Sequence, residues 1–292
     1  MKYVLAVSGG VDSVVLLARA AQAKWREQHL PDAVWPRDFV VAHFDHGIRG
    51  EASHKDAQFV ARLAQQYGVR FYLATADLTP QTSEAEARAR RYQFLRSVCA
   101  QEHAELVTAH HLNDLVETMV INLIRGTGWR GIAPLSGAVR PLLSCPKFEL
   151  ICEALEHDLP WHEDQTNTSL HYLRNRVRYR LAGLTVDQRQ AWLKLYRRQV
   201  KLKQEIDQLV ADLVRRSVRR SDDELVLKRY DLVMWSDVVA LEVLRQITAA
   251  QLTRPQLMEL LQFARTAQPS KRYQVGKIRA RVTTKELYLV VQ

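Results

Sequence analysis

The sequence predicts an α/β chain: a doubly wound parallel sheet, then a basic helical linker and a small α+β C-terminal domain. Three observations carry that prediction. Short apolar runs alternate with longer amphipathic ones through the first half, a Gly-rich turn follows the first apolar run, and the pattern becomes long, helical and basic after residue 185. Alternation of strand and helix is the mark of a parallel sheet covered on both faces.

Residues 3–7 read as the first buried strand, and 13–28 as the helix after it, with apolar positions recurring at helical spacing. The unit repeats three times. Strands are predicted at 39–44, 70–74 and 105–109, helices at 53–67, 83–100 and 113–125, and 138–143 reads as one further strand. Residues 187–220 contain few helix breakers and connect the two parts. A strand-like segment at 222–228, helices at 236–249 and 254–265, and a closing pair at 273–282 and 285–291 form the second module. The expected domains are therefore 1–185 and 186–292.

At 292 residues with 47% hydrophobic and 25% charged side chains, and only 11 Gly and 9 Pro, disordered, collagenous and low-complexity classes are excluded. Cys99, Cys145 and Cys152 share no CxxC spacing and are odd in number, which argues against a disulfide framework and a cysteine zinc site. No stretch approaches the ~18 consecutive apolar residues of a membrane span, and the opening apolar run is shorter than a signal-peptide core. A soluble, cytoplasmic protein in a reducing compartment is expected, with no membrane partner.

The net charge is +10, and residues 171–220 alone carry 14 Lys and Arg against 4 acids, which accounts for the whole excess. A field concentrated in one segment is the footprint of a polyanion binder, and nucleic acid is favoured over a role in solubility alone.

Ser8-Gly9-Gly10-Val11-Asp12-Ser13 follows the first strand and leads into an apolar helix. Glycines let a backbone approach a ligand closely, and free N–H groups at a helix start attract anions. The loop has neither the Gly-Lys-Ser/Thr of a Walker A motif nor the GxGxxG of a dinucleotide fold; a bare Gly-Gly would read as a tight turn with a serine cap, but six such residues between a strand and a helix favour a phosphate cradle. His43 and His46 end the second strand beside it, either as structural histidines or as nucleotide contacts. His110 and His111, with Asp114 and Glu117, carry metal-ligand spacing, but only one His can face the same way as the acids, so no protein metal site is assigned. Arg88, Arg90 and Arg91 are either a solvated helix face or phosphate contacts. Arg174, Arg176, Arg178 and Arg180 alternate like a strand, yet residues three and four apart would share a helix face; so many guanidiniums repel one another unless anions offset them.

The loop resembles the PP-loop of the N-type ATP pyrophosphatases, which split ATP between the α and β phosphates. Further segments follow in order: Ala42 to Arg49 with Asp56, Glu84 to Leu95, Thr108 to Thr118, Arg125 to Gly128, Arg140 to Leu143, Glu163 to Asn167 and Tyr172 to Arg178. As an ordered set over residues 1–182 they resemble the tRNA(Ile)-lysidine synthetases. The departures are Ile48, where that family usually has Leu, and Asn113, where a second acid often stands.

The resemblance implies an enzyme that uses ATP and Mg²⁺ to ligate free L-lysine to C2 of the wobble cytidine of tRNA(Ile) with a CAU anticodon, through an adenylated cytidine, releasing AMP and pyrophosphate. ATP contacts are then expected from Ser8, Gly9, Gly10, Val11, Asp12, Ser13, His43 and His46. Asp12, Arg88, Asp114, Glu117 and Arg178 are the expected catalytic residues. Asp114 and Glu117 suit the amino groups of lysine, since paired carboxylates select an ammonium. Contacts to tRNA are expected from Arg174, Arg176 and Arg178 and, chiefly on the charge of the second half, which resembles the family only in general layout, from Arg197, Arg198, Arg215, Arg216, Arg219 and Arg220. The alternatives are a tRNA thiolase, which calls for a cysteine pair or an iron–sulfur site that Cys145 and Cys152 do not match, and a non-enzymatic tRNA-binding protein.

Overall fold

The computed structural model describes residues 2–22, 38–47, 50–76, 82–134, 137–162, 173–221 and 223–291. The chain divides into two compact units, Met1–Gln199 and Val200–Gln292. Ile48, Arg49, residues 163–172 and the end of the helix expected at 13–28 lie outside the described residues.

In the first unit β1 (Lys2–Ala6) lies between β2 (Asp38–Asp45) and β4 (Ala104–Thr108), and β3 (Phe71–Thr75) flanks β2; all pairings are parallel, in the order β3-β2-β1-β4. Successive β1 side chains serve opposite faces. Tyr3 and Leu5 pack with α1 (Val11–Ala21), α2 (Glu51–Gln66) and α5 (Lys147–Glu156), whereas Val4 packs with Leu95 and Val98 of α3 (Glu84–Glu102). Residues 11–20 of α1 are buried except Asp12, so that helix is apolar nearly all round. Its one buried cation, Arg19, donates through Nε to Glu153 of α5 at 2.6 Å.

The chain leaves β3 and returns on the far side of β1 to form β4. That reversal opens a crevice at the carboxyl ends of β1 and β4, the place where such sheets bind ligands. α4 (Leu112–Ile124) starts there, shortly beyond β4. The strand expected at 138–143 is reduced to a single parallel bridge, Val107 with Val139. Pro141 lacks an N–H for a ladder, and the chain instead turns, with the amides of Leu143 and Cys145 donating to the carbonyls of Arg140 and Leu142.

α6 (Leu173–Leu181) decides the ambiguous arginine series in favour of a helix. α7 (Val186–Ser217) is shorter than the helix expected at 187–220: Val218–Ser221 is a strand, β5, so Arg219 and Arg220 do not sit on the helix. Val218 packs into the core of the second unit, and pairing with the next strand outcompetes another helical turn.

That second unit is an antiparallel sheet, ordered β5-β6-β9-β8-β7, in which β6 is Glu224–Lys228, β7 Arg272–Val275, β8 Ile278–Val282 and β9 Glu286–Val291. The short α8 (Arg229–Met234), absent from the sequence expectation, joins α9 (Asp237–Ile247) and α10 (Arg254–Thr266) around a core that includes Leu244, Leu260, Ile278, Leu287 and Leu289. Among the described residues no helix is long and apolar enough to cross a membrane.

Candidate active site

The loop after β1 folds around one hydroxyl. Ser13, buried in the first turn of α1, accepts from the amides of Ser8 (3.1 Å) and Gly9 (3.2 Å) and donates to the carbonyl of Gly10 (2.9 Å). Gly9 adopts φ +92°, a conformation that disfavours any side chain. Gly10 is the N-cap of α1 and Val11 its first residue, so Val11, Asp12 and Ser13 belong to the helix start rather than to a free loop. His162 closes the back: its amide donates to the Gly9 carbonyl at 3.0 Å, and its ring stacks on Phe59 and bonds Asp56.

His43 serves the same loop from β2. Its Nδ1 meets the Val7 carbonyl at 2.8 Å, and because a carbonyl can only accept, Nδ1 carries the proton. Burial holds the ring below its ordinary pKa, which favours the neutral form. His43 thus supports the backbone one residue before Ser8. His46 lies edge-on to Phe44.

Three helix starts converge on Asp12. Lys147, the first residue of α5, places Nζ 2.7 Å from both Asp12 oxygens. His111, the N-cap of α4, brings Nε2 to 3.7 Å from Asp12. Asn113 of α4 accepts from the Lys147 amide at 3.2 Å, and the Leu112 amide donates to the Cys145 carbonyl at 3.0 Å, so the starts of α4 and α5 are stitched together. Asn113, where the resembled family often has an acid, works here as a helix-start acceptor. Sequence reasoning misses Lys147. The available signal is a cation at a helix N-terminus, where the dipole disfavours it.

The acids of α4 are paired with α6. Glu117, only 3% exposed, accepts from Arg174 Nε (3.2 Å) and Arg178 Nε (2.9 Å). Asp114 accepts from Arg174 Nη2 (2.9 Å) and shares a capping box with His111. Burial pushes the Asp114 carboxyl up, but His111 and Arg174 together outweigh it and hold it at about 2. His110 sits with Nδ1 2.8 Å from the Thr108 hydroxyl. Its burial, with Arg140, Arg174 and Arg88 nearby, outweighs the attraction of Asp114 and brings its pKa down to about 4. Arg88 lies on α3 over the Tyr92 ring, 4.9 Å from its centroid.

The structure therefore gathers Ser8 to Ser13 and His43 around the loop, and Asp114, Glu117, Arg174 and Arg178 into one ionic cluster, with Arg88 near His110. Arg176, Arg197, Arg198, Arg216 and Arg220 are exposed, Arg215 pairs with Asp212, and Arg219 pairs with Glu286.

A parallel sheet with a glycine turn at its switch point and helix starts aimed at one crevice defines a nucleotide-binding α/β class. The PP-loop domain family matches residues 1–184, and the chain belongs to that family. Among curated relatives, the tRNA(Ile)-lysidine synthase of Enterococcus faecalis is 38% identical over 192 residues, covering 62% of this chain and 40% of that protein. The Gloeobacter violaceus protein of the same name is 40% identical over 188 residues, 61% of this chain and 54% of its own. A bifunctional TilS/HprT protein of Listeria monocytogenes is 36% identical over 195 residues, 62% of this chain and 29% of its own. The chain spans about a third to a half of the length of these relatives. The structure of a U34-tRNA thiolase, NcsA from Methanococcus maripaludis, superposes with a TM-score of 0.55 over 69% of this chain and 72% of that one, at 18% identity, a likeness of fold.

Proposed function

We propose that the chain ligates L-lysine to C2 of the wobble cytidine of tRNA(Ile) with a CAU anticodon, using ATP and releasing AMP and pyrophosphate through an adenylated cytidine. One observation carries this reading: the phosphate loop and the acids of α4 meet at His111, whose Nε2 lies 3.7 Å from Asp12 and 3.3 Å from Asp114, within the span shared with relatives bearing that name. Ser13 occupies the amides of Ser8 and Gly9, so the start of α1 is the part of the loop suited to a triphosphate. Asp12 is a single carboxylate at the loop, the donor set with which Mg²⁺ is held alongside substrate phosphates, and the ion would neutralise charge on the departing pyrophosphate.

Asp114 and Glu117 are the groups for the lysine ammonium. They are already partnered by Arg174 and Arg178, so lysine competes with those guanidiniums. An Arg178 released from Glu117 is then available to the charge developing at the α-phosphate, with Arg88. The 186–292 segment supplies backbone contacts to tRNA, from Arg197, Arg198, Arg215, Arg216, Arg219 and Arg220, and Arg174 and Arg176 contact the tRNA near the chemistry. A cytoplasmic setting goes with these substrates.

The test feeds radiolabelled ATP, a tRNA(Ile) transcript and each amino acid in turn. AMP and pyrophosphate should form only with tRNA, and only lysine should end on the RNA. Asp114→Asn should raise the lysine requirement about 10- to 100-fold, as expected when hydrogen bonds to a charged group are removed. Formation of ADP, or an unaltered lysine dependence in that variant, would overturn the assignment.

A further inference from the structure

Lys147 is oddly placed for a merely structural cation. It opens α5, where the helix dipole places about half a positive charge, so an ammonium there is disfavoured unless an anion faces it. Among the described residues the ammonium's partner is Asp12, itself in the first turn of α1, where a carboxylate is welcome on the dipole's account alone. The starts of α1, α4 and α5 thus bring three positive helix ends and one ammonium to a single carboxylate. The local balance favours further negative charge.

The Lys147 backbone cannot drift, because Asn113 accepts from its amide and the Leu112 amide holds Cys145 just before it. The side chain is different. It is 34% exposed, and Asp12 is 26% exposed, so the contact is open to water and to exchange. A long flexible stem on a fixed base is well suited to pass its ammonium from one anion to another.

We propose that Lys147 is the cation that binds the β and γ phosphates of ATP, resting on Asp12 when the loop is empty and passing to the phosphates when they arrive. This rests on the ATP reading above. The phosphates adopt the loop N–H groups next to Asp12, and Lys147 then serves the part of the nucleotide that leaves as pyrophosphate. Asp12, released from Lys147, is left to the metal ion.

The test measures binding, in the presence of EDTA, of pyrophosphate, ATP and AMP to the wild-type chain and to Lys147→Gln, Lys147→Arg and Asp12→Asn/Lys147→Gln. Thermal unfolding confirms that each is folded. Lys147→Gln should weaken pyrophosphate and ATP by about 10- to 100-fold and AMP by no more than about 2-fold, and Lys147→Arg should recover most of that affinity. The double variant separates contact from simple neutralisation. If Lys147 touches phosphate, the double variant stays weak. If it does no more than quench Asp12, removing both charges restores wild-type pyrophosphate binding, and the proposal is overturned. Equal weakening of AMP and pyrophosphate would overturn it too. A wild-type chain that binds neither pyrophosphate nor ATP would bring down the nucleotide reading itself, a different result from a variant that binds like wild type.

Discussion

Two ionic contacts of the first unit are built from the same chemistry and behave as opposites. At the phosphate loop one partly exposed ammonium meets one partly exposed carboxylate. Between α4 and α6 one buried carboxylate, Glu117, is held by two guanidiniums, one of which also holds Asp114. The first contact is solvated on both sides and costs little to open; the second leaves a buried charge under-compensated if either arginine is removed. The difference is between a contact that opens to water at little cost and one that opens only when another cation takes the place of the guanidinium it frees.

The strongest way to break that contrast is Glu117→Gln. It should lower the free energy of urea unfolding by about 1.5–3 kcal/mol, since buried hydrogen bonds to charged groups are of that size. Lys147→Gln should cost about 1 kcal/mol or less, as solvated pairs do. Equal costs would erase the distinction.

Acid titration sharpens it further. The folded chain holds His110 at about 4 against an ordinary 6.5, so between those values the unfolded chain binds a proton that the folded one refuses. Stability therefore falls as pH drops from 6.5 to 4. Asp114 is held at about 2 against an ordinary 3.8, so its contribution is present above 3.8 and disappears as pH falls on toward 2. His110→Gln should flatten the upper limb of stability against pH, and Asp114→Asn the lower one. A profile unchanged in both would mean that neither environment survives in solution.

The smallest effect concerns the basic surface. There Arg219 and Arg215 are 71% and 77% exposed, against acids that are themselves partly solvated. Replacing Arg215, Arg216, Arg219 and Arg220 by Ala should leave the unfolding midpoint unmoved. The salt slope of tRNA binding should drop by about 0.7–0.9 for each phosphate that the chain no longer neutralises. An unchanged slope would assign these arginines to the solvent.

What the sequence makes legible follows from how local each feature is. The strand, glycine turn and helix of residues 2–21 are contiguous, and their periodicity and turn chemistry are read without tertiary context. Pro141 carries a warning against a strand at 138–143, but the apolar run around it outweighs one residue. The Arg174 series admits two periods, and what selects the helix is Glu117, far away in sequence, which rewards a spacing of four. Asp12 and Lys147 lie 135 positions apart, and no periodicity connects them. Only the packing of α1 against α5 does so. The same dependence on a remote partner hides the strand at Arg219 and Arg220, which pairing with β6 imposes.

The Arg19–Glu153 bond, read together with the Asp12–Lys147 bond, has a directional meaning. Seven residues separate the tie points on α1 and six on α5, about 10 and 9 Å along their axes. The two helices are therefore braced like parallel rails pointing the same way. Side by side in that sense their dipoles repel, a standing stress that an antiparallel pair would not carry. An anion where both positive ends stop offsets that stress, and once it draws Lys147 from Asp12 the Arg19–Glu153 bond is the tie that keeps the two helices in step.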